Sequence, residues 1–235
     1  MHQAAYTVED QERMARAANY LAWQRRLVHR ELGRRVLEVG CGVGNFTGTL
    51  LDREAVIAVD VEARCIARLE RRYPGRPNLH PVVCDVLSRD FPALARFRPD
   101  SCVCLNVLEH IADDRAALAA MRSVLVPGGG IVLIVPAFQA LYGPIDRNLG
   151  HVRRYSRGTL HSLAERAGLR LRKAHYSNCA GFFGWWMNAR VLKLEAQSVR
   201  QIEVFDRFVV PVASAVEAVV QPPFGQSLVA VLDRP

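Results

Sequence analysis

The sequence predicts an α/β chain: a doubly wound, mostly parallel sheet with helices on both faces. Three features carry that expectation. Val36–Val39 forms a short run that is apolar apart from Glu38, and Gly40-Cys41-Gly42-Val43-Gly44-Asn45 follows it. Phe46–Leu51 then reads as the start of a helix, which makes a strand–turn–helix, the opening of a nucleotide-binding α/β unit. A second apolar run, Ala55–Val59, ends in Asp60. Asp60 lies at the distance from the first glycine where doubly wound folds place a carboxylate to grip two ribose hydroxyls. A third run, Asp100–Leu105, is apolar nearly throughout, as befits a parallel strand covered on both faces.

Length and composition bound the rest. The 235 residues are 50% hydrophobic and 23% charged, enough for one well-cored domain with an insertion. The opening MHQAAYTVEDQER is polar and charged and does not read as a secretory leader. The longest apolar run, Ile131–Val135, is too short to span a bilayer. These features lead to the expectation of a soluble, cytoplasmic protein. The six cysteines (41, 65, 84, 102, 104 and 179) form no C-x-x-C pair and have no histidine at zinc spacing. They read as small buried residues, and no metal is expected. The net charge is +8, but no long basic run and no nucleic-acid motif accompanies it, so no nucleic-acid partner is expected.

In chain order, apolar residues recur near helical spacing from Glu9 to Glu31, with Gly33 as a stop. The first strand and its glycine turn follow. The dinucleotide fingerprint would need a third glycine where Asn45 stands, and Glu38 two residues before Gly40 suits a ligand carrying positive charge rather than a bare pyrophosphate. After strand Ala55–Asp60 comes a helix, Glu62–Tyr73, stopped by Pro74-Gly75. A third strand, His80–Cys84, leads into Asp85-Val86, and the fourth leads into Asn106-Val107-Leu108-Glu109-His110. Asp113-Asp114 opens a helix to Val126, and Ile131–Val135 is the fifth strand. The stretch from Pro136 to Tyr155 shows no periodicity, and a loop of that length leaving a strand's carboxyl end reads as functional. Ser156 caps a helix ending at Gly168, and Leu169–Tyr176 alternates as a sixth strand. Helices at 185–197 and 199–220, the second kinked or divided by Pro211, precede a last strand at Ser227–Leu232.

The glycine turn with Glu38, then Asp60, Asp85 and Asn106 in that order, and the phrase LVPGGGIVLIVP resemble class I S-adenosylmethionine-dependent methyltransferases. The resemblance implies a Rossmann-like, seven-stranded sheet whose last strand is antiparallel. It also implies S-adenosylmethionine as cofactor. It places Glu38, Gly40, Cys41, Gly42 and Asn45 at the methionine and sulfonium end, and Asp60 with Val61 at the ribose. Asp85 and Val86 fall at the adenine, and Asn106 at the amino-acid part. Tyr20 and Trp23 lie in a segment that resembles one covering the cofactor in some members. The expected organisation is one domain: an N-terminal helical cap (1–33), the core (34–178), an inserted helical lid or dimer surface (179–225) and the last strand (226–235).

The expected reaction is methyl transfer to a small organic acceptor such as a secondary metabolite, at oxygen. His151 in the long loop is the candidate base, since histidine titrates near neutrality, with His110 and Tyr155 beside it. Arg153 or Arg154 is expected to hold an acidic group of the acceptor, and Tyr142, Trp185 and Trp186 to line an apolar roof. Two alternatives stay open: a lipid-linked acceptor met at a membrane surface, and a nucleoside-binding protein without turnover.

Overall fold

The computed structural model describes residues 8–194 and 198–235. Its strands are β1 (Arg35–Val39), β2 (Ala55–Asp60), β3 (Leu79–Val83), β4 (Ser101–Leu105), β5 (Gly130–Pro136), β6 (Arg170–Ser177) and β7 (Ser227–Asp233). They form one seven-stranded sheet in the order β3-β2-β1-β4-β5-β7-β6. The first five are mutually parallel, and β7 runs antiparallel between β5 and β6. The helices are α1 (Val8–Met14), α2 (Ala18–Val28), α3 (Ala63–Arg72), α4 (Asp114–Val124), α5 (Pro144–Asn148), α6 (Arg157–Arg166), α7 (Cys179–Trp186), α8 (Val199–Val204) and α9 (Val210–Glu217).

Side chains alternate along a strand, so each central strand feeds both faces. Leu37, Ile57, Cys102 and Leu133 pack with Leu118 and Met121 of α4 and Leu160 and Leu163 of α6. Val36, Val56, Val103 and Val132 pack on the other face with Val28 of α2 and Ile66 and Leu69 of α3. The carboxyl ends of β1 and β4, neighbours where the strand order reverses, open the crevice in which such sheets bind ligands.

Three elements differ from the sequence reading. The helix expected over 9–31 is two helices, α1 and α2, parted at Ala15–Ala17. No residue of α2 caps it locally. Instead the Asp206 carboxylate, far along the chain, accepts from the Asn19 and Tyr20 backbone N–H groups at 3.3 and 2.8 Å, doing an N-cap's work. Phe46–Leu51 is a single 3-10 turn at Thr47–Leu50 rather than a helix. The aperiodic stretch after β5 holds a 3-10 turn, Gln139–Leu141, and the five-residue α5.

Between β6 and β7 the chain forms α7 with a π-helical turn at Met187–Val191, then α8 and α9 joined by a second π-helical turn, Phe205–Val209. The division falls just before Pro211, whose missing N–H and ring disrupt regular helix. The expected helix end at Gln197 and residues 1–7 of the expected cap lie outside the described residues. Glu217 of α9 ties the insertion to β6, accepting from the Asn178 and Cys179 backbone N–H groups at 2.9 and 2.8 Å.

Candidate active site

The glycine turn sits against the end of β4. Gly40 has φ +76°, and a Cβ there would lie 2.2 Å from Val107 Cγ2, so only glycine lets the two strand ends approach this closely. The Gly40 and Cys41 N–H groups donate to the Val59 carbonyl at 2.8 and 3.0 Å, and the Gly42 N–H donates to Asp60 Oδ2 at 2.8 Å. Asp60 Oδ1 accepts from the Glu62 N–H at 2.9 Å. Each Asp60 oxygen therefore keeps lone pairs for a diol. Burial pushes its carboxyl up, and those backbone bonds hold it partly down.

Glu38 is buried and accepts from the Thr47 hydroxyl at 2.7 Å. Burial pushes its carboxyl up to about 8, so a cationic ligand is the neighbour that would restore its charge. Asp85 is exposed and holds the Leu87 N–H at 2.8 Å; Val86 is buried beside it, and Val61 is exposed at the tip of β2. Asn106 is exposed with φ +53°. Phe138, at the end of β5, has φ +61°. Backbone held in such sparsely populated regions clusters at functional sites. Turn, carboxylates and strained Asn106 together fit an adenosyl amino acid carrying positive charge.

Four of the expected cofactor residues also make contacts within the protein. The Asn45 side chain donates to the Gln11 carbonyl at 2.7 Å and accepts from Arg72 at 2.7 Å, bracing α1 and α3. Trp23 is buried in packing. The Tyr20 hydroxyl is buried and bonded to Ser227 and Gln24, with Glu109 near enough to push it further up. Cys41 is buried, and burial pushes its thiol far up, so it serves the turn as a small packing residue. Gln11 carries no signal in the sequence, yet its side-chain oxygen accepts from the Val43 N–H at 2.9 Å and seats α1 on the turn.

A polar network occupies the other wall. Buried Asp146 of α5 accepts from His151 Nδ1 at 2.8 Å, Arg154 Nε at 2.8 Å, the Gly143 N–H at 2.9 Å and Trp185 Nε1 at 3.4 Å. Burial alone would push its carboxyl up, but the His151 and Arg154 contacts outweigh that and hold it below the usual range. The Arg154 guanidinium also lies 4.7 Å from the centre of the Trp185 ring, a cation–π arrangement. His151 faces His110, ring centres 4.8 Å apart and nearly perpendicular. Burial and the neighbouring imidazole push His110 down to about 4, so it is neutral at ordinary pH.

Beside them lies Glu109, fully buried. Neither of its oxygens makes a hydrogen bond among the described residues, and His151 Nε2 stands 3.9 Å from Oε1. Burial pushes its carboxyl up to about 8. The sequence reading passed over Glu109 for its neighbour His110; an acid inside an apolar strand-end stretch was the available signal.

The Tyr155 hydroxyl is buried, donates to Asp114 at 3.0 Å and is pushed far up by burial. Arg153 is paired with Asp114 and bonded to the Ala112 carbonyl, and Arg154 with Asp146. Both guanidiniums are thus paired with a carboxylate. Trp186 is 44% exposed, whereas Trp185 is buried. Phe138, Phe182 and Phe224 form an aromatic group packed edge to face. Tyr142 braces the loop, its hydroxyl donating to the His151 carbonyl at 2.7 Å.

The family described as methyltransferase domain matches residues 6–174. The chain belongs to that family. Its seven-stranded sheet is the class I S-adenosylmethionine-dependent methyltransferase fold, and S-adenosylmethionine is the cofactor of this methyltransferase domain. A probable S-adenosylmethionine-dependent methyltransferase of Mycolicibacterium smegmatis is 30% identical over 146 residues, 61% of this chain and 54% of that protein. A ubiquinone biosynthesis O-methyltransferase of Idiomarina loihiensis is 34% identical over 103 residues, 42% of this chain and 41% of that one. The methyltransferase thus spans about half the length of the curated relatives it matches. Among solved structures, a chain from the complex of the Haloferax volcanii Trm112 methyltransferase activator with a methyltransferase superposes with TM-score 0.66 at 15% identity, covering 99% of this chain and 98% of that one. The N-methyltransferase NodS of Bradyrhizobium japonicum, in complex with S-adenosyl-L-homocysteine, gives TM-score 0.57 at 19% identity, covering 96% and 87%. At these identities the likeness shows the fold.

Proposed function

We propose that this methyltransferase moves the methyl group of S-adenosylmethionine to an oxygen of a small organic acceptor. One observation carries the reading: Glu109, His110 and His151 turn ligand-capable atoms toward one another within 4.8 Å, on the loops beside Asn106 and the glycine turn. An acceptor hydroxyl placed there meets groups able to take its proton or carry its charge. When bound, the cofactor supplies a methyl activated on a cationic sulfur. Transfer joins that carbon to the acceptor oxygen, the carbon–sulfur bond breaks with its electron pair left on sulfur, and the hydroxyl proton passes to the cluster. Holding donor and acceptor in line contributes about 7–11 kcal/mol of barrier lowering at best. The relatives named as ubiquinone biosynthesis O-methyltransferases favour oxygen. Incubation with methyl-labelled cofactor and a panel of phenols, diols, acids and amines should put the label on oxygen. Label found on nitrogen alone removes the oxygen assignment. Binding of S-adenosyl-L-homocysteine without any transfer leaves the binding-protein reading.

A second reading, a lipid-linked acceptor, is favoured by the outer face of the insertion. Val204, Phe208, Val212 and Val216 form an exposed apolar stripe along α8 and α9, with Phe183 and Trp186 exposed on α7. Arg200 and Arg207 lie on the same segment, a combination that suits an anionic membrane surface. Among the described residues no helix is long and apolar enough to cross a membrane, so the contact would be interfacial. Co-sedimentation with anionic vesicles at physiological salt should pellet the protein, and Phe208→Asp with Val212→Asp should release it. Protein that stays in the supernatant with every vesicle composition rules the lipid reading out.

A further inference from the structure

We propose that Glu109, His110 and His151 bind one divalent metal cation at the mouth of the cleft, leaving open positions for two adjacent oxygens of the acceptor. The proposal rests on the reading of this pocket as the acceptor site. Each residue shows a feature expected of a metal ligand.

Glu109 is wholly buried, and both its oxygens lack hydrogen-bond partners among the described residues. A carboxylate taken out of water is retained when it is paired, hydrogen-bonded or coordinating a metal. The Glu109–His151 separation of 3.9 Å is too long for a hydrogen bond, but it leaves room for a third atom between them. His151 is aimed at that point because its Nδ1 is fixed on Asp146 at 2.8 Å. A carboxylate behind one ring nitrogen sets the tautomer and presents the other nitrogen's lone pair, the usual support of a metal-binding histidine. His110 is treated alike, with a ring N–H bonded to the Gly150 backbone, so its second nitrogen carries the lone pair.

The three ligand atoms lie within 4.8 Å of one another. Ligand bonds of about 2.0–2.2 Å require pairs at roughly 3–3.5 Å, so loading draws the widest pair together by roughly 1 Å. That is a side-chain adjustment within two loops. Two imidazoles and one carboxylate suit zinc, iron(II) or manganese(II) better than magnesium. Such a three-ligand set keeps positions open for substrate. The nearby fixed cation, Arg154, is neutralised by Asp146, so the cluster's own charge is that of Glu109. The acceptor class this selects has two oxygens on neighbouring carbons: a vicinal diol, a catechol, or a hydroxyl beside a carbonyl.

The test is a calorimetric titration of chelator-treated full-length protein with Zn2+ and with Mn2+, alongside S-adenosyl-L-homocysteine. The expected result is one equivalent of cation, weakened at least tenfold in Glu109→Gln and again in His151→Ala, the usual range for a lost ligand or its support. Substitution by Co2+ should add visible absorption bands that both variants lose. Homocysteine-product binding should persist in the variants, which reports that they are folded and that the cofactor reading stands. Failure to bind the product at all would instead count against the methyltransferase reading. If product binds while no cation does, or if cation affinity survives both substitutions, the metal site is overturned.

Discussion

Replacing Asp146 with alanine is expected to destabilise the protein by about 3–5 kcal/mol, the range for stripping one partner from a buried ion pair. The loss is large because Asp146 serves four groups at once: His151, Arg154, Trp185 and the Gly143 N–H. Arg154 has only 5% of its surface exposed, so its charge would stay buried with no anion. Against a total stability of about 5–15 kcal/mol, that is enough to lower the urea midpoint markedly at unchanged slope. A companion variant, Asp146→Leu with Arg154→Met, removes both charges while keeping apolar volume, and should regain most of the loss. If the alanine variant loses less than about 1 kcal/mol, the network is a surface-like pair of the kind that contributes little.

Asp60→Ala should weaken S-adenosylmethionine and its demethylated product alike, by about 1–3 kcal/mol, roughly five- to 150-fold. Both ligands share the ribose, so an equal loss marks a contact there. A loss confined to the methylated form would instead mark the sulfonium end and Glu38. The variant also frees the Gly42 and Glu62 N–H groups. Asp60→Asn keeps one acceptor oxygen and should fall between the two. Calorimetry with both ligands decides the matter, and unchanged affinities in Asp60→Ala end the ribose assignment.

The glycine turn and the carboxylate that ends β2 were legible because local sequence determines them. A glycine that must turn at positive φ and acids that end apolar runs keep those positions whatever the rest of the chain does. The surroundings of the residues expected at the acceptor were not, because those residues have partners distant in sequence. Arg153 and Arg154 read as free cations in a loop until Asp114 and Asp146 are brought to them. Tyr155 reads as an exposed loop phenol until its hydroxyl is found at Asp114. The break between α1 and α2 has its physical cause at Asp206, which no window on the N-terminal segment contains. Glu109 offered only the weak signal of an acid inside an apolar strand-end stretch, and its lack of partners is visible only once the chain is folded.

The position of β7 has a consequence for how the chain reaches this structure. Among the described residues, β6 pairs only with β7, and β7 alone covers the far edge of β5. During synthesis, residues 170–177 therefore emerge well before residues 227–233, with no neighbour to join. The whole insertion, including the Glu217 and Asp206 anchors, must wait as well. Such sequence-distant pairing slows folding, and it leaves two strand edges open to other chains in the meantime. A ribosome stalled before residue 227 would hold a half-closed sheet with the edges of β5 and β6 unpaired.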